Sequence, residues 1–305
     1  MPKRYLLLLI PVVLALVLFV PRMVAGPELR TQAYFAIQRQ WMGHWPFGIR
    51  RFTSRFLLAA AQPMAPIWYQ VEPNIRMQLD PADEGPLTIL ETGVYEPVSF
   101  AMVSEHLTAG ATFIDVGANI GYYSLKAAPL VGAAGHVIAI EPNPEVLQEL
   151  RVNLAASGAK VVAVAPVACS DVEGELELYV APGANTGETS LSKANASQLG
   201  PVTHTYKVRA RPLDDIVRES GVARVDAIKI DVEGAEYLVL KGAQRTLDLF
   251  HPMLLVEVTE PGLRGMGTSS AQLRELLRGY GYREGRHDGL NVEFLPAAAA
   301  PANGR

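Results

Sequence analysis

Cysteine is nearly absent. Cys169 is the single one among 305 residues, so no intramolecular disulfide can form, and the lone thiol argues neither for nor against export. Histidine is sparse: six are scattered outside any motif, and no Cys/His cluster has the spacing of a zinc site. No metal is expected. Charged residues are held to 19% while hydrophobic ones reach 49%, which predicts a sizeable core in a chain long enough for one large domain plus extras. Nucleic-acid recognition motifs are lacking, and no nucleic-acid partner is expected.

Negative charge is almost missing from the front of the chain, positions 1–70. Lys3, Arg4, Arg22, Arg30, Arg39, Arg50, Arg51 and Arg55 face Glu28 alone, a net charge of +7 that leaves −11 for the rest of a chain whose total is −4. A basic, apolar front on an acidic body suits contact with anionic lipid. Residues 5–20 form an apolar run flanked by Lys3-Arg4 and Pro21-Arg22. As a helix the run spans about 24 Å, short of a hydrocarbon core of roughly 30 Å, and Pro11 would kink it. Three readings stay open: an uncleaved membrane anchor, a signal peptide whose nearest cleavage site is Val24-Ala25-Gly26, or a buried core helix. All three tryptophans, Trp41, Trp45 and Trp68, fall in this front end, with Phe47, Phe52, Phe56 and Tyr69 interleaved among arginines. That mixture fits a water–lipid interface and equally an appendage packing its aromatics on the rest of the chain. Pro63, Pro66 and Pro73 mark a linker near residues 61–75.

Residues 112–116 read as a short buried strand and residues 122–130 as a helix, joined by Gly117-Ala118-Asn119-Ile120-Gly121. Strand, glycine turn and helix is the layout that holds nucleotide-like ligands at the carboxyl end of a parallel strand. The spacing Asp115-x-Gly117-x-Asn119-x-Gly121 lacks the first glycine of a dinucleotide fingerprint, and no Lys-Ser/Thr follows to make a phosphate-cradling loop. Asp115 repels a pyrophosphate and suits a cationic ligand carrying an amine and a sulfonium, which points to S-adenosylmethionine. The alternative is an ordinary strand–turn–helix with a solvated aspartate. Gly117 and Gly121 permit a tight turn and close approach of a ligand.

Further βα units follow. A hairpin is expected from residues 75–79 and 87–90, then a helix over 98–107. Residues 136–140 form a strand ending in Glu141-Pro142-Asn143-Pro144, and residues 145–156 its helix. Glu141, at the end of the strand that follows the glycine turn, can accept both hydroxyl hydrogens of a ribose diol. Residues 161–164 make the third strand, and Asp171 beyond it can accept from an adenine amine. Cys169 is read as a small apolar residue. Residues 175–180 and 203–210 alternate as antiparallel strands around a polar loop, 183–200, read either as a binding loop or as a disordered excursion. Residues 227–230 are the fourth strand and 234–248 its helix. The fifth strand, 253–257, ends at Glu257.

Lys229-Ile230-Asp231-Val232-Glu233-Gly234-Ala235-Glu236, with the Asp115–Gly121 motif, closely resembles the FkbM-type family of methyltransferases. Tyr95-Glu96, Leu213-Asp214-Asp215, Leu240-Lys241-Gly242-Ala243 and Leu255-Val256-Glu257 agree with it over about residues 88–285. The resemblance implies an α/β Rossmann-like class I methyltransferase: a mostly parallel seven-stranded sheet with helices on both faces, here following an N-terminal apolar helix. It implies S-adenosylmethionine as donor and a hydroxyl of a sugar, glycolipid or other metabolite as acceptor. Donor contacts are expected from Glu96, Asp115, Gly117, Asn119, Gly121, Glu141, Asp171 and Asp231. A hydroxyl acceptor needs its proton removed, and Asp231, Glu233 and Glu257 are the candidates. Lys229 is expected to pair with a nearby acid, and His204 to be structural. Two other readings are an amino-group methyltransferase, disfavoured by the missing Asn/Asp-Pro-Pro-Tyr/Phe run after Ile230, and a non-catalytic membrane scaffold. The expected domains are an anchor or signal-like helix (1–25), a basic, aromatic membrane-proximal segment (26–74), the methyltransferase domain (75–295) and a disordered tail (296–305). Because the donor is made in the cytosol, a membrane-associated chain with its catalytic domain in the cytoplasm is expected.

Overall fold

The computed structural model describes residue 35 and residues 66–181, 189–199 and 201–297. The expected N-terminal apolar helix, most of the aromatic segment, the tip of the polar loop and all but the first two tail residues lie outside these. Two compact units divide at Tyr95/Glu96.

In the first unit, β1 (Ile67–Glu72) pairs antiparallel with β2 (Ile75–Leu79). The sequence pattern predicts a linker at the first of these and places the partner strand at residues 87–90. The correction has a local cause. Ile75, Met77 and Leu79 alternate inward, and Gln70 Nε2 donates to Pro73 O and Ile75 O, each at 3.2 Å, closing the turn between the strands. Residues 87–90 lie instead in α1 (Glu84–Thr92), which buries Leu87, Ile89 and Leu90 and ends where Gly93, at φ 85°, donates to Ile89 O.

The second unit begins with α2 (Pro97–Ser104), β3 (Thr112–Val116), α3 (Tyr122–Val131), β4 (His136–Ile140), α4 (Pro144–Ala156) and β5 (Val162–Ala165). A smaller sheet follows. It comprises β6 (Ala168–Cys169), β7 (Gly174–Val180), β8 (Thr189–Ser190) and β9 (His204–Arg211), in the order β6-β9-β7-β8, with α5 (Lys193–Leu199) between β8 and β9. Strands β7 and β9 are antiparallel, as their alternation predicts. Then come α6 (Leu213–Ser220), β10 (Ala227–Ile230), α7 (Glu236–Lys241), α8 (Gln244–Phe250), β11 (Met253–Glu257), α9 (Glu260–Gly265), α10 (Ser270–Gly279), β12 (Tyr282–Asp288) and β13 (Asn291–Pro296). Pro296 thus ends a strand and does not begin a tail.

The main sheet runs β12-β13-β11-β10-β3-β4-β5. Strands β11, β10, β3, β4 and β5 are parallel neighbours, and β13 is inserted antiparallel between β11 and β12. This is the expected mostly parallel seven-stranded sheet. Its central strands are buried on both faces, as parallel sheets require. Ile114, Val116, Ile138, Ile140, Ile228, Ile230, Leu254 and Val256 form one core with residues of α6, α7, α8 and α10. The intervening positions carry Asp115 and Lys229, which sit side by side in register. Strand order reverses between β3, which pairs with β10, and β4, so β3 lies at the switch point, where crevices open at the carboxyl ends.

The expected single helix over 234–248 is two helices. A Cβ on Gly242 would stand 2.1 Å from Ser170 O, so this position admits only glycine, and the chain turns there. Asp214 then caps α8, its carboxylate accepting from Arg245 N, Thr246 N and Thr246 Oγ1.

Candidate active site

The glycine turn after β3 is built by close backbone approach. Gly117, at φ 79°, would place a Cβ 1.8 Å from Asp231 O. The space a side chain would need is therefore taken by the end of β10, rather than being kept for a ligand. Gly117 N and Ala118 N both donate to Ile140 O at 3.0 Å. Asn119 takes a left-handed φ of 49° and its Oδ1 accepts from Ile120 N at 2.7 Å. Gly121, at φ 94°, begins α3. Asn153, which no sequence motif singles out, donates from Nδ2 to Ile120 O at 3.0 Å and holds the turn from α4.

Glu141 at the end of β4 is 5% exposed. Its Oε2 accepts from Asn119 N at 3.0 Å and its Oε1 from Asn143 N at 2.9 Å, so it ties the glycine turn to the loop before α4. Burial pushes its carboxyl up to about 7 against the opposing pull of those two N–H groups. Each oxygen keeps a second lone pair for a diol.

Asp115 is only 1% exposed, which overturns the reading of a solvated strand-end acid. Its Oδ2 accepts from Ser124 Oγ at 2.7 Å, while Oδ1 has no hydrogen-bond partner. Burial raises its pKa, and Lys229 and Ser124 oppose the rise. Lys229 is buried at 4% exposure, with Nζ 2.9 Å from Asp231 Oδ2 and 5.0 Å from the centre of the Tyr123 ring. The Tyr123 hydroxyl donates to Glu96 Oε2 at 2.7 Å. Burial would lower the Lys229 pKa, but Asp231, Asp115 and Glu96 together raise it. The expected pairing of Lys229 with an acid is therefore present, and Glu96 is brought to the same cluster.

Beyond Lys229 the acids crowd. Asp231, Glu233 and Glu257 each offer a carboxylate oxygen within 4.8 Å of the others. Glu257 Oε2 is buried without a hydrogen-bond partner. Burial holds the Glu257 carboxyl far above the usual range, and the charges of Asp231, Glu233 and Glu236 push it further. Glu236, at 0% exposure, accepts through Oε1 from Val232 N and Gly234 N, both at 3.1 Å, and burial pushes it up to about 7. In the sequence this glutamate is only one of a run. Its structural part is to hold the turn that carries Asp231 and Glu233. Three carboxylates so placed can share a proton or hold a divalent cation, but Lys229 already brings positive charge to Asp231. Even so, the acids around it outnumber that one cation.

Asp171 is drawn elsewhere. It forms an ion pair with Lys241 at 2.5 Å, which lowers its pKa, so an adenine amine would have to share this carboxylate. His204 is exposed on β9 and stacks on Tyr206. Cys169 is buried, and its thiol is pushed up to about 12, which makes it unreactive.

A parallel sheet with this strand order, a glycine turn after its first parallel strand and acids ending the strands beside it defines a Rossmann-like methyltransferase domain. Residues 115–284 match the family model described as the methyltransferase FkbM domain, and the chain belongs to that family. It is 29% identical over 206 residues to the AMB antimetabolite synthetase AmbE of Pseudomonas aeruginosa, covering 58% of this chain but only 10% of that much longer protein. The 31-O-demethyl-FK506 methyltransferase FkbM of Streptomyces tacrolimicus is 29% identical over 201 residues, which are 58% of this chain and 74% of that one. The hexuronic acid methyltransferase AglP of Haloferax volcanii is 26% identical over 144 residues, 47% of this chain and 54% of that one.

Proposed function

We propose that this protein transfers the methyl group of S-adenosylmethionine to a hydroxyl oxygen of a sugar, glycolipid or other metabolite. The observation that carries the reading is the convergence of Asp231, Glu233 and Glu257 within 4.8 Å of one another beyond the carboxyl ends of β10, the neighbour of β3, and of β11 next to it. Two relatives, a hexuronic acid methyltransferase and a 31-O-demethyl-FK506 methyltransferase, support an oxygen acceptor.

The donor supplies a methyl group on a sulfonium, which the acceptor oxygen displaces in line. Glu141 would hold the ribose diol through the lone pairs left by Asn119 N and Asn143 N, with the backbone of residues 117–121 beside it. The excess of acid around Lys229 favours the donor's positive charge. Lys229 is paired with Asp231, and burial together with Asp231, Glu233 and Glu236 holds the Glu257 carboxyl well above the usual range. The hydroxyl proton of the acceptor passes to this carboxylate set as the carbon–oxygen bond forms. Alignment of the two reactants supplies several kcal/mol of the rate gain.

We further propose that residues 1–70 lie against an anionic membrane surface and that the catalytic domain is cytoplasmic. Support comes from the net charge of +7 over those residues. No helix among the described residues is long and apolar enough to cross a membrane, and the apolar run lies outside them.

Calorimetry of the full chain with S-adenosylmethionine tests the donor. Micromolar binding is expected, and none at millimolar donor overturns the proposal. Labelled methyl transfer into fractionated lipid and glycan extracts identifies the acceptor. An acid- and base-stable ether is the expected product by mass spectrometry, and a methylated amine overturns the oxygen assignment.

A further inference from the structure

The turn that carries Asp231 and Glu233 is held from outside its own strand. Glu233 takes a left-handed φ of 52° and Gly234 follows at 104°, a conformation that costs a non-glycine residue unless its surroundings enforce it. The enforcement comes from β8 and α5, which lie within the stretch read as the polar loop. Ser190 Oγ donates to Glu233 O at 2.9 Å. Asn195 Nδ2 donates to the same carbonyl at 3.2 Å and to Gly262 O at 2.8 Å. Ser192 Oγ donates to Gly265 O at 2.8 Å and accepts from Asn195 N at 3.3 Å.

Gly262 and Gly265 belong to α9, the helix that follows Glu257. Asn195 therefore bridges the two chain segments whose acids must meet. The fit around it is close on all sides. A Cβ on Gly234 would stand 2.6 Å from Asn195 Nδ2, and one on Gly265 would stand 1.6 Å from Asn195 Oδ1. The glycine of Lys229-Ile230-Asp231-Val232-Glu233-Gly234 is thus required by contact with this asparagine and with Gly262 O, 2.4 Å from the same Cβ.

We infer that Asn195 is a positioning residue which, with Ser190, fixes the spacing of the Glu233 and Glu257 carboxylates by tying the turn after β10 to the helix after β11. The inference rests on the reading of these carboxylates as the set that receives the acceptor's proton. A carbonyl released from both donors lets Glu233 leave the left-handed region, and its carboxylate moves away from Glu257. The charged groups facing Glu257 are Asp231, Glu233, Glu236 and Lys229, so a lost neighbour alters how tightly Glu257 holds its proton.

The test needs neither donor nor acceptor. The full chain is labelled with carboxyl-13C glutamate, and the Glu257 resonance is assigned by its disappearance in Glu257→Gln. Its titration midpoint is compared in wild type, Asn195→Ala and Ser190→Ala, with thermal melting followed in parallel. A midpoint lower by one pH unit or more is expected in Asn195→Ala, and a smaller fall in Ser190→Ala, which loses one bond. An unchanged midpoint in either folded variant overturns the inference. So does failure of both variants to fold, which would make the contacts purely structural. Donor calorimetry on the wild type is read separately: wild type that titrates as expected but binds no S-adenosylmethionine sinks the proposed function and leaves the positioning role standing.

Discussion

Lys229 Nζ lies 2.9 Å from Asp231 Oδ2, with the lysine inside β10 and the aspartate just past its end. The ammonium also faces Asp115 and Glu96, so one buried cation serves several acids. Removing one partner of a buried ion pair leaves the others uncompensated. Lys229→Met is expected to lower the unfolding free energy by roughly 3–5 kcal/mol at pH 8. The loss is smaller at pH 5, where protons take the place of the ammonium. Urea unfolding at the two pH values checks this, and an equal loss at both would show that the lysine acts by packing alone.

Gly117 and Gly121 share a motif but not a reason. A Cβ on Gly117 meets backbone, 1.8 Å from Asp231 O, whereas one on Gly121 meets the end of a movable side chain, 2.6 Å from Leu150 Cδ1. Both positions are left-handed, which costs an alanine about 1–2 kcal/mol. Gly121→Ala should lose about that much, and Gly117→Ala more than about 2 kcal/mol, as β10 is pushed off register. Thermal melts of the two variants rank them, and the reverse order would refute the account.

How much of this is legible in the sequence depends on where the cause sits. Strands at residues 112–116, 136–140 and 253–257 are readable to the residue, because short buried apolar runs end there at Gly or an acid. Residues 87–90 mislead because a short apolar run fits either period. The break at Gly242 arises from Ser170, on a distant stretch of chain, and no local pattern announces it. Glu141, Asp231 and Glu257 are visible as strand-end acids. Ser190 and Asn195 are not, since polar residues in an aperiodic loop look alike until the carbonyls they serve are in place. Asp115 stands out in its motif, but its burial beside Lys229 follows only from the register of β3 on β10, two strands widely separated along the chain.

The buried acids make stability fall with rising pH. Burial pushes Glu141 and Glu236 each up to about 7 and raises Asp115 and Glu257 too. The folded chain therefore binds more protons than the unfolded chain between the ordinary carboxylate range and about pH 7. Stability from these groups is complete below the unfolded pKa and is lost as pH rises through the folded one. Asp171 and Glu293, lowered by Lys241 and Arg286, act in the opposite sense at more acid pH. The urea midpoint is expected to be higher at pH 5 than at pH 8, by a few kcal/mol in free energy at roughly 1.4 kcal/mol per unit. Glu236→Gln should flatten the profile, and a wild-type midpoint independent of pH would contradict the burial argument.

Glu141 joins two loops, and under the proposed function its remaining lone pairs serve the donor's diol. Glu141→Ala removes the acceptor of Asn119 N and Asn143 N as well as the diol contact. Donor binding should weaken by roughly 1–3 kcal/mol, read by calorimetry with S-adenosylmethionine and again with S-adenosylhomocysteine. Because the diol contact is common to both ligands, the two losses should match. A loss confined to the sulfonium would move Glu141's part from the ribose to the charge.

The proposed membrane attachment rests on charge more than on the apolar run. Residues 22–55 carry Arg22, Arg30, Arg39, Arg50, Arg51 and Arg55 against Glu28. Each basic residue near an anionic leaflet contributes about 1 kcal/mol, screened by salt over about 8 Å at physiological ionic strength. Deleting residues 1–25 should therefore weaken but not abolish flotation with vesicles containing phosphatidylserine. The residual binding of the truncated chain should disappear in high salt, while that of the full chain persists through its apolar segment. Protease added outside intact cells should leave the catalytic domain uncut, because the donor is kept in the cytosol. Cleavage from outside, or a mature N-terminus near residue 26, would overturn the cytoplasmic assignment and make the segment 1–25 a signal peptide.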